Sequence, residues 1–132
     1  MDIQSFINQQ TQETKAVFDH IHNLISKYDD KIHAEVGSVM GQEEALVYNQ
    51  EGAFKYGITK TKNHYSFHSM VMYSYPELRE RLKNQTKGIK FQKGCLNFKE
   101  ASQIKLEEFE TFIKDSALSD FSVVIEHYKK KK

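Results

Sequence analysis

The stretch from Gly52 to Tyr73, GAFKYGITKTKNHYSFHSMVMY, decides the fold. Its aromatic and branched residues recur at alternate positions. Phe54, Tyr56 and Ile58 form one set, and Tyr65, Phe67, Val71 and Tyr73 form another beyond the polar run Lys60-Thr61-Lys62-Asn63. A side-chain period of two belongs to a strand, because successive Cβ atoms leave the pleated backbone on opposite sides. The opposite positions are Lys55, Gly57 and Thr59 in the first run, and His64, Ser66, His68, Met70 and Met72 in the second. Two such runs joined by a short polar turn predict antiparallel neighbours.

The same period extends on both sides. Ala34, Val36, Ser38 and Met40 alternate with polar or small residues, Leu46-Val47-Tyr48 is a short strand, and Asn49-Gln50-Glu51-Gly52 reads as a hairpin loop with glycine where φ is positive. Downstream, Ser74 and Glu77 have capping-box spacing and Pro76 falls in a first turn, where its missing N–H costs nothing. A short helix follows, burying Leu78 and Leu82 and ending near Gly88. Ile89-Lys90-Phe91 and Cys95-Leu96-Asn97-Phe98 then pair about a turn at Lys93-Gly94.

Outside this block the spacing changes to three and four. Ile3, Phe6, Ile7, Val17, Phe18, Ile21, Leu24, Ile25 and Tyr28 make one stripe of a helix over about residues 3–27, capped by Asp2. The polar Asn8–Gln12 stretch predicts loose packing at its start, and Tyr28 to Lys31 reads as a turn. Near the other end, Ser102 can cap a last long helix with Leu106, Phe109, Ile113 and Ala117 inward. Leu118, Phe121, Val124, Ile125 and Tyr128 continue it after a break at Ser119-Asp120. The order α-β-β-β-β-α-β-β-α-α is an α+β signature. It predicts one curved antiparallel sheet over residues 32–98, covered on one face by the first helix and the last long helix.

A chain of 132 residues buries roughly two thirds of its unfolded surface, enough for one core and too little for two. The expectation is a single domain over residues 1–132 with a basic tail, Lys129 to Lys132. No apolar run approaches the roughly 20 residues of a membrane span, residues 1–28 hold no apolar export core, and the lone Cys95 has no partner for a disulfide. A cytoplasmic protein without a membrane partner is expected.

Formal charge is near balance, with 19 basic and 18 acidic side chains, but it is segregated. Residues 53–99 carry ten lysines and arginines against Glu77 and Glu80 alone, whereas the flanking segments are acidic. Acidic helices beside a basic sheet explain part of this, and an anion-binding face explains it more sharply. An anion site would centre on Lys60, Lys62, His64 and Lys93, at hairpin tips that one end of a meander can gather. Its affinity would fall with salt, since exposed charges are screened beyond about 8 Å at physiological ionic strength. Nucleic acid is not expected as a partner.

The remaining chemistry is sparse. His64 and His68 lie roughly 13 Å apart on a strand, too far to share one ion. Cys95 lacks a CxxC partner and alternates with apolar neighbours, which favours burial. No Gly-rich phosphate loop, nucleophile elbow or HExxH motif is present, so no enzyme is indicated. Oxygen-rich positions at Asp29, Asp30, Glu107, Glu108 and Glu110 suit a hard or intermediate metal.

The run Gly52-Ala53-Phe54-Lys55-Tyr56-Gly57-Ile58 followed by Lys62-Asn63-His64 resembles the G-x-F-x-x-G and K-x-H pattern of the YdhG-like family (domain of unknown function 1801). The later Lys87–Phe98 hairpin and the closing helix are similar in order and spacing, so the resemblance spans roughly residues 15–128. It implies an α+β fold. Because some members are described as frataxin-like iron chaperones, it also implies iron as cargo and iron–sulfur or haem assembly proteins as partners. Any Fe²⁺ would then be held weakly by the five carboxylates above, not by His64 with His68. The reading is a small non-enzymatic binding protein, with an anion-binding module on the basic region as the alternative.

Overall fold

A computed structural model describes residues 2–39 and 42–130 of the chain. The strand position of Met40 and the tail residues Lys131 and Lys132 lie outside the described residues. Six strands, β1 (His33–Val39), β2 (Gln42–Gln50), β3 (Ala53–Lys60), β4 (Tyr65–Ser69), β5 (Lys90–Phe91) and β6 (Cys95–Phe98), form one antiparallel sheet in the order β1-β2-β3-β4-β6-β5. The helices are α1 (Ile3–Asn8), α2 (Gln12–Tyr28), α3 (Met70–Ser74), α4 (Pro76–Gln85), α5 (Glu107–Leu118) and α6 (Ser122–Lys130). This is the expected α+β domain. Among the described residues no helix is long and apolar enough to cross a membrane.

One face of the sheet carries the core. Phe67, fully buried in β4, stacks on Tyr56 at 6.1 Å and meets the edges of Phe109 and Phe112 of α5 at 5.9 and 6.4 Å. Phe18 of α2 meets Tyr65 edge-on, and the Tyr65 hydroxyl lies 3.0 Å from Thr14 Oγ1. Helices α2 and α5 therefore cover the same face, as the alternation predicts.

The helix ends depart from the sequence reading. The first helix is two helices, because Thr11 is extended and its Oγ1 accepts from the Thr14 amide, which starts a fresh helix. Asp2 does cap α1, accepting from the Ser5 amide at 2.8 Å. The start of α1 is not loosely packed. Phe6 and Ile7 are buried, and Phe6 stacks on Phe18.

Met70 to Ser74 is helical, not strand, because Ser69 Oγ accepts from the Met72 amide at 3.0 Å and turns the chain. Met72 is consequently buried in the core while Tyr73 is exposed. Ser74 ends that helix instead of capping the next; Tyr75 occupies the cap position of α4 without a side-chain bond, and Pro76 begins it. The Asn49–Gly52 loop is a tight two-residue turn, with Glu51 and Gly52 both at positive φ between paired Gln50 and Ala53. Ser102 lies in a 3₁₀ turn held by Glu100 and Gln103, and α5 begins only at Glu107. Leu106 and Leu118 face solvent, not the core.

His22 of α2 places Nδ1 2.8 Å from the Tyr48 hydroxyl, and its ring lies tilted against that phenol. Burial holds this imidazole below its ordinary pKa, against the opposing pull of Asp19. The unfolded chain therefore binds the proton first, and stability is lost as pH falls below the ordinary value of about 6.5. His68 is depressed for the same reason and adds in the same direction. We expect the urea midpoint to drop between about pH 7.5 and about pH 5.5, and a His22→Gln variant to show a shallower drop. An unchanged slope in that variant contradicts the assignment.

Candidate functional site

The other face of the sheet is not covered by α2 or α5, the short α3 reaching over it with Met70 and Tyr73, and the pleat sets what it shows. Val47, Gly57, His68 and Cys95 are successive cross-strand partners, and Thr59, Ser66, Asn97 and Lys90 form the adjacent row. Beside these rows a small apolar cluster of Val39, Ala45 and Val47 is packed by Phe54.

Phe54 reaches this face through an irregularity. The β2–β3 register shifts between Tyr48 and Asn49, which pair with Tyr56 and Phe54 and leave Lys55 as an extra residue. Such a bulge re-aims the side chains around it. Phe54 is thereby turned onto the open face, not beside Tyr56 and Ile58 as the alternation reads. Lys55, expected on the open face, turns into the core.

There Lys55 is fully buried, with Nζ 2.6 Å from Asp29 Oδ2 and donating to Gln50 Oε1 at 2.7 Å. Tyr56 donates its hydroxyl to the same carboxylate at 2.9 Å, and the rings of Tyr56 and Phe121 flank the ammonium. Burial draws the Lys55 amine below its ordinary value, and Asp29 opposes that shift.

Over the open face lies a cleft of about 970 Å³. Val39, Phe54, Met70 and Tyr73 give it an apolar wall; His64, Ser66, His68 and Asn97 line its base; Gln92, Lys93, Gly94 and Cys95 close one end. Tyr73 lies over Gly94, where an added Cβ would meet the ring at 3.6 Å. Ser66 donates its hydroxyl to Asn97 Oδ1 at 2.6 Å, and the Cys95 thiol donates to Gln92 Oε1 at 3.2 Å. Burial pushes the thiol pKa up and the His68 pKa down, so both side chains are held neutral. Among the described residues no carboxylate lines the cleft.

Of the four residues predicted for an anion, the cleft gathers His64 and Lys93. Lys60 stays with its own turn, donating to the Thr61 carbonyl with Nζ over the Tyr65 ring at 5.4 Å. Lys62 is exposed and does not line the cleft. Cys95 is half-buried in the wall and not enclosed in the core. Ser66 and His68 were legible from their shared parity. Tyr73 and Phe54 were hidden by a helix start and a bulge.

The five carboxylates named for iron are not brought together. Asp29 is committed to Lys55 and Tyr56 inside the core, while the Asp30 side chain is 97% exposed. Glu110 accepts from Lys27 at 3.1 Å and from the Tyr28 hydroxyl, and Glu107 and Glu108 belong to the first turn of α5. Among the described residues no group of three or more His, Cys, Asp or Glu side chains is placed to hold a metal ion. No family model, curated protein or solved structure matches this chain.

Proposed function

We propose that this chain is a non-enzymatic binding protein that holds a small amphipathic organic anion in the open-face cleft. The observation that carries the reading is the lining: aromatic and aliphatic side chains beside His64, His68 and Lys93, with no carboxylate among the described residues that form it. Ligand sites of this kind are mostly apolar concavities with a few convergent polar groups that orient the ligand. The state of the cleft's hydroxyl and thiol supports binding over catalysis. Ser66 is bonded to an amide and not to a base, and the Cys95 thiol is kept protonated.

Anilinonaphthalene sulfonate, a fluorescent apolar anion, tests the site. Saturable binding is expected at one site, weakened about tenfold by Phe54→Ala or Tyr73→Ala, each of which removes an aromatic contact of about 1.4 kcal/mol. Leu118 and Val123, exposed at 75% and 74%, form the competing apolar surface. Affinity that follows Leu118→Ser and Val123→Ser, and ignores Phe54 and Tyr73, overturns the assignment.

A further inference from the structure

Beside the cleft lies a second, more polar cavity of about 440 Å³ at the β5 edge of the sheet. His64, Gln92 and Asn97 line both cavities, so the two share a wall. Lys90 and Lys99 line the smaller one, and among the described residues no carboxylate lines either. Among the described residues Lys15, Lys27, Lys31, Lys55, Arg79, Arg81 and Lys129 each have a carboxylate partner, while Lys60, Lys62, Lys83, Lys87, Lys105, Lys114 and Lys130 have none and line neither cavity. Lys90, Lys93 and Lys99 have none among the described residues.

The shared wall is also polarised in one sense. Asn97 Oδ1 accepts from the Ser66 hydroxyl, and Gln92 Oε1 accepts from the Cys95 thiol. Each amide therefore spends its oxygen on a cleft residue and keeps its NH₂ group free to donate. Two amide donors and an imidazole thus border the junction, with the ammonium groups of Lys90 and Lys99 on the annex side and that of Lys93 on the cleft side. Lys90, Lys93, Lys99 and Gln92 are exposed, and a neutral ligand would leave their donors and charges to water. A monoanion would answer few of them, whereas a phosphate monoester brings a charge of about −1.5 to −2 and three acceptor oxygens.

We propose that the ligand is an aromatic molecule carrying a phosphate monoester, its ring system in the main cleft against Phe54 and Tyr73 and its phosphate in the basic annex between Lys90, Lys99 and His64. This rests on the cleft reading above and adds the ligand class. Mononucleotides and phosphorylated aromatic cofactors share this chemistry.

Flavin mononucleotide and riboflavin are a suited probe pair, since they share one fluorescent ring system and differ by the phosphate. By flavin fluorescence, the phosphorylated probe is expected to bind the full chain about tenfold tighter or more, the worth of a few charge-assisted hydrogen bonds. A Lys90→Ala, Lys99→Ala variant should erase that difference and leave riboflavin affinity unchanged, while Phe54→Ala weakens both probes. Equal affinity for the two flavins, with both sensitive to Phe54→Ala, overturns the phosphate inference and keeps the cleft. A preference for the phosphate that survives Lys90→Ala with Lys99→Ala and disappears on deleting residues 129–132 places it on the tail and overturns the inference. Binding of neither flavin overturns it too, and the anilinonaphthalene sulfonate titration then decides the cleft separately.

Discussion

Replacing Lys55 with Met is expected to lower the unfolding free energy by about 3–5 kcal/mol, because it strands a buried carboxylate. The Asp29 side chain is fully buried, and its oxygens rest on the Lys55 ammonium, the Tyr56 hydroxyl and the Lys31 amide. Removing the ammonium leaves two neutral donors, and the half-exposed Lys31 ammonium 3.9 Å from Oδ1, to answer a full charge in a poorly solvated place. Urea unfolding followed by circular dichroism at neutral pH should show this loss. Removing both partners, Lys55→Met with Asp29→Leu, should recover most of the loss, since a packed apolar pair of similar volume is often as stable as a buried ion pair. A single-variant loss under about 1 kcal/mol would place Asp29 in contact with water and contradict the burial.

The same residue shows where the sequence stops being legible. Period-two spacing named the strands at the centre of the sheet, since core-facing Tyr56, Ile58, Tyr65 and Phe67 alternate without interruption. One extra residue in β3 then reverses the parity on its N-terminal side. Nothing in the run Ala53-Phe54-Lys55-Tyr56 marks the bulge, because a lysine there reads naturally as a solvent-facing position. Its partner Asp29 lies in a turn, and only the packing of Phe121 over the ammonium reveals that this turn is an interior position. The end of β4 was hidden for a related reason. Met70-Val71-Met72-Tyr73 is a strand-like composition, and a single Ser69 cap overrides it.

The cleft was half legible on the same grounds. Residues within uninterrupted alternation, His64, Ser66 and His68, were assigned to one face and do line the cavity. Lys93 follows from the position of its hairpin. Lys60 and Lys62 were included because they sit in a turn of the basic segment, yet a turn residue's direction is set by local bonds that carry no period. Lys60 satisfies its own turn carbonyl instead.

Gly57 tests the bulge and the cleft together, and Gly57→Val is expected to cost about 1–3 kcal/mol, the range for overfilling a packed site. The glycine is not there for its backbone; it leaves room across the sheet. An added Cβ would stand 2.9 Å from Phe54 Cζ and 2.9 Å from Val39 Cγ2, closer than packed carbons approach. Val39 belongs to the buried apolar cluster, so the half-buried Phe54 ring is the group that can yield, and it yields into the cleft. Two readouts should therefore move together. The thermal midpoint should fall, and anilinonaphthalene sulfonate affinity should fall with it as the displaced ring occupies ligand space. Adding Phe54→Ala to Gly57→Val removes the clash and should restore part of the stability, giving a favourable coupling energy in the double-mutant cycle. If the two substitutions are instead additive, Phe54 does not lie over Gly57, and both the bulge-directed turn of that ring and the cleft wall it forms are wrong.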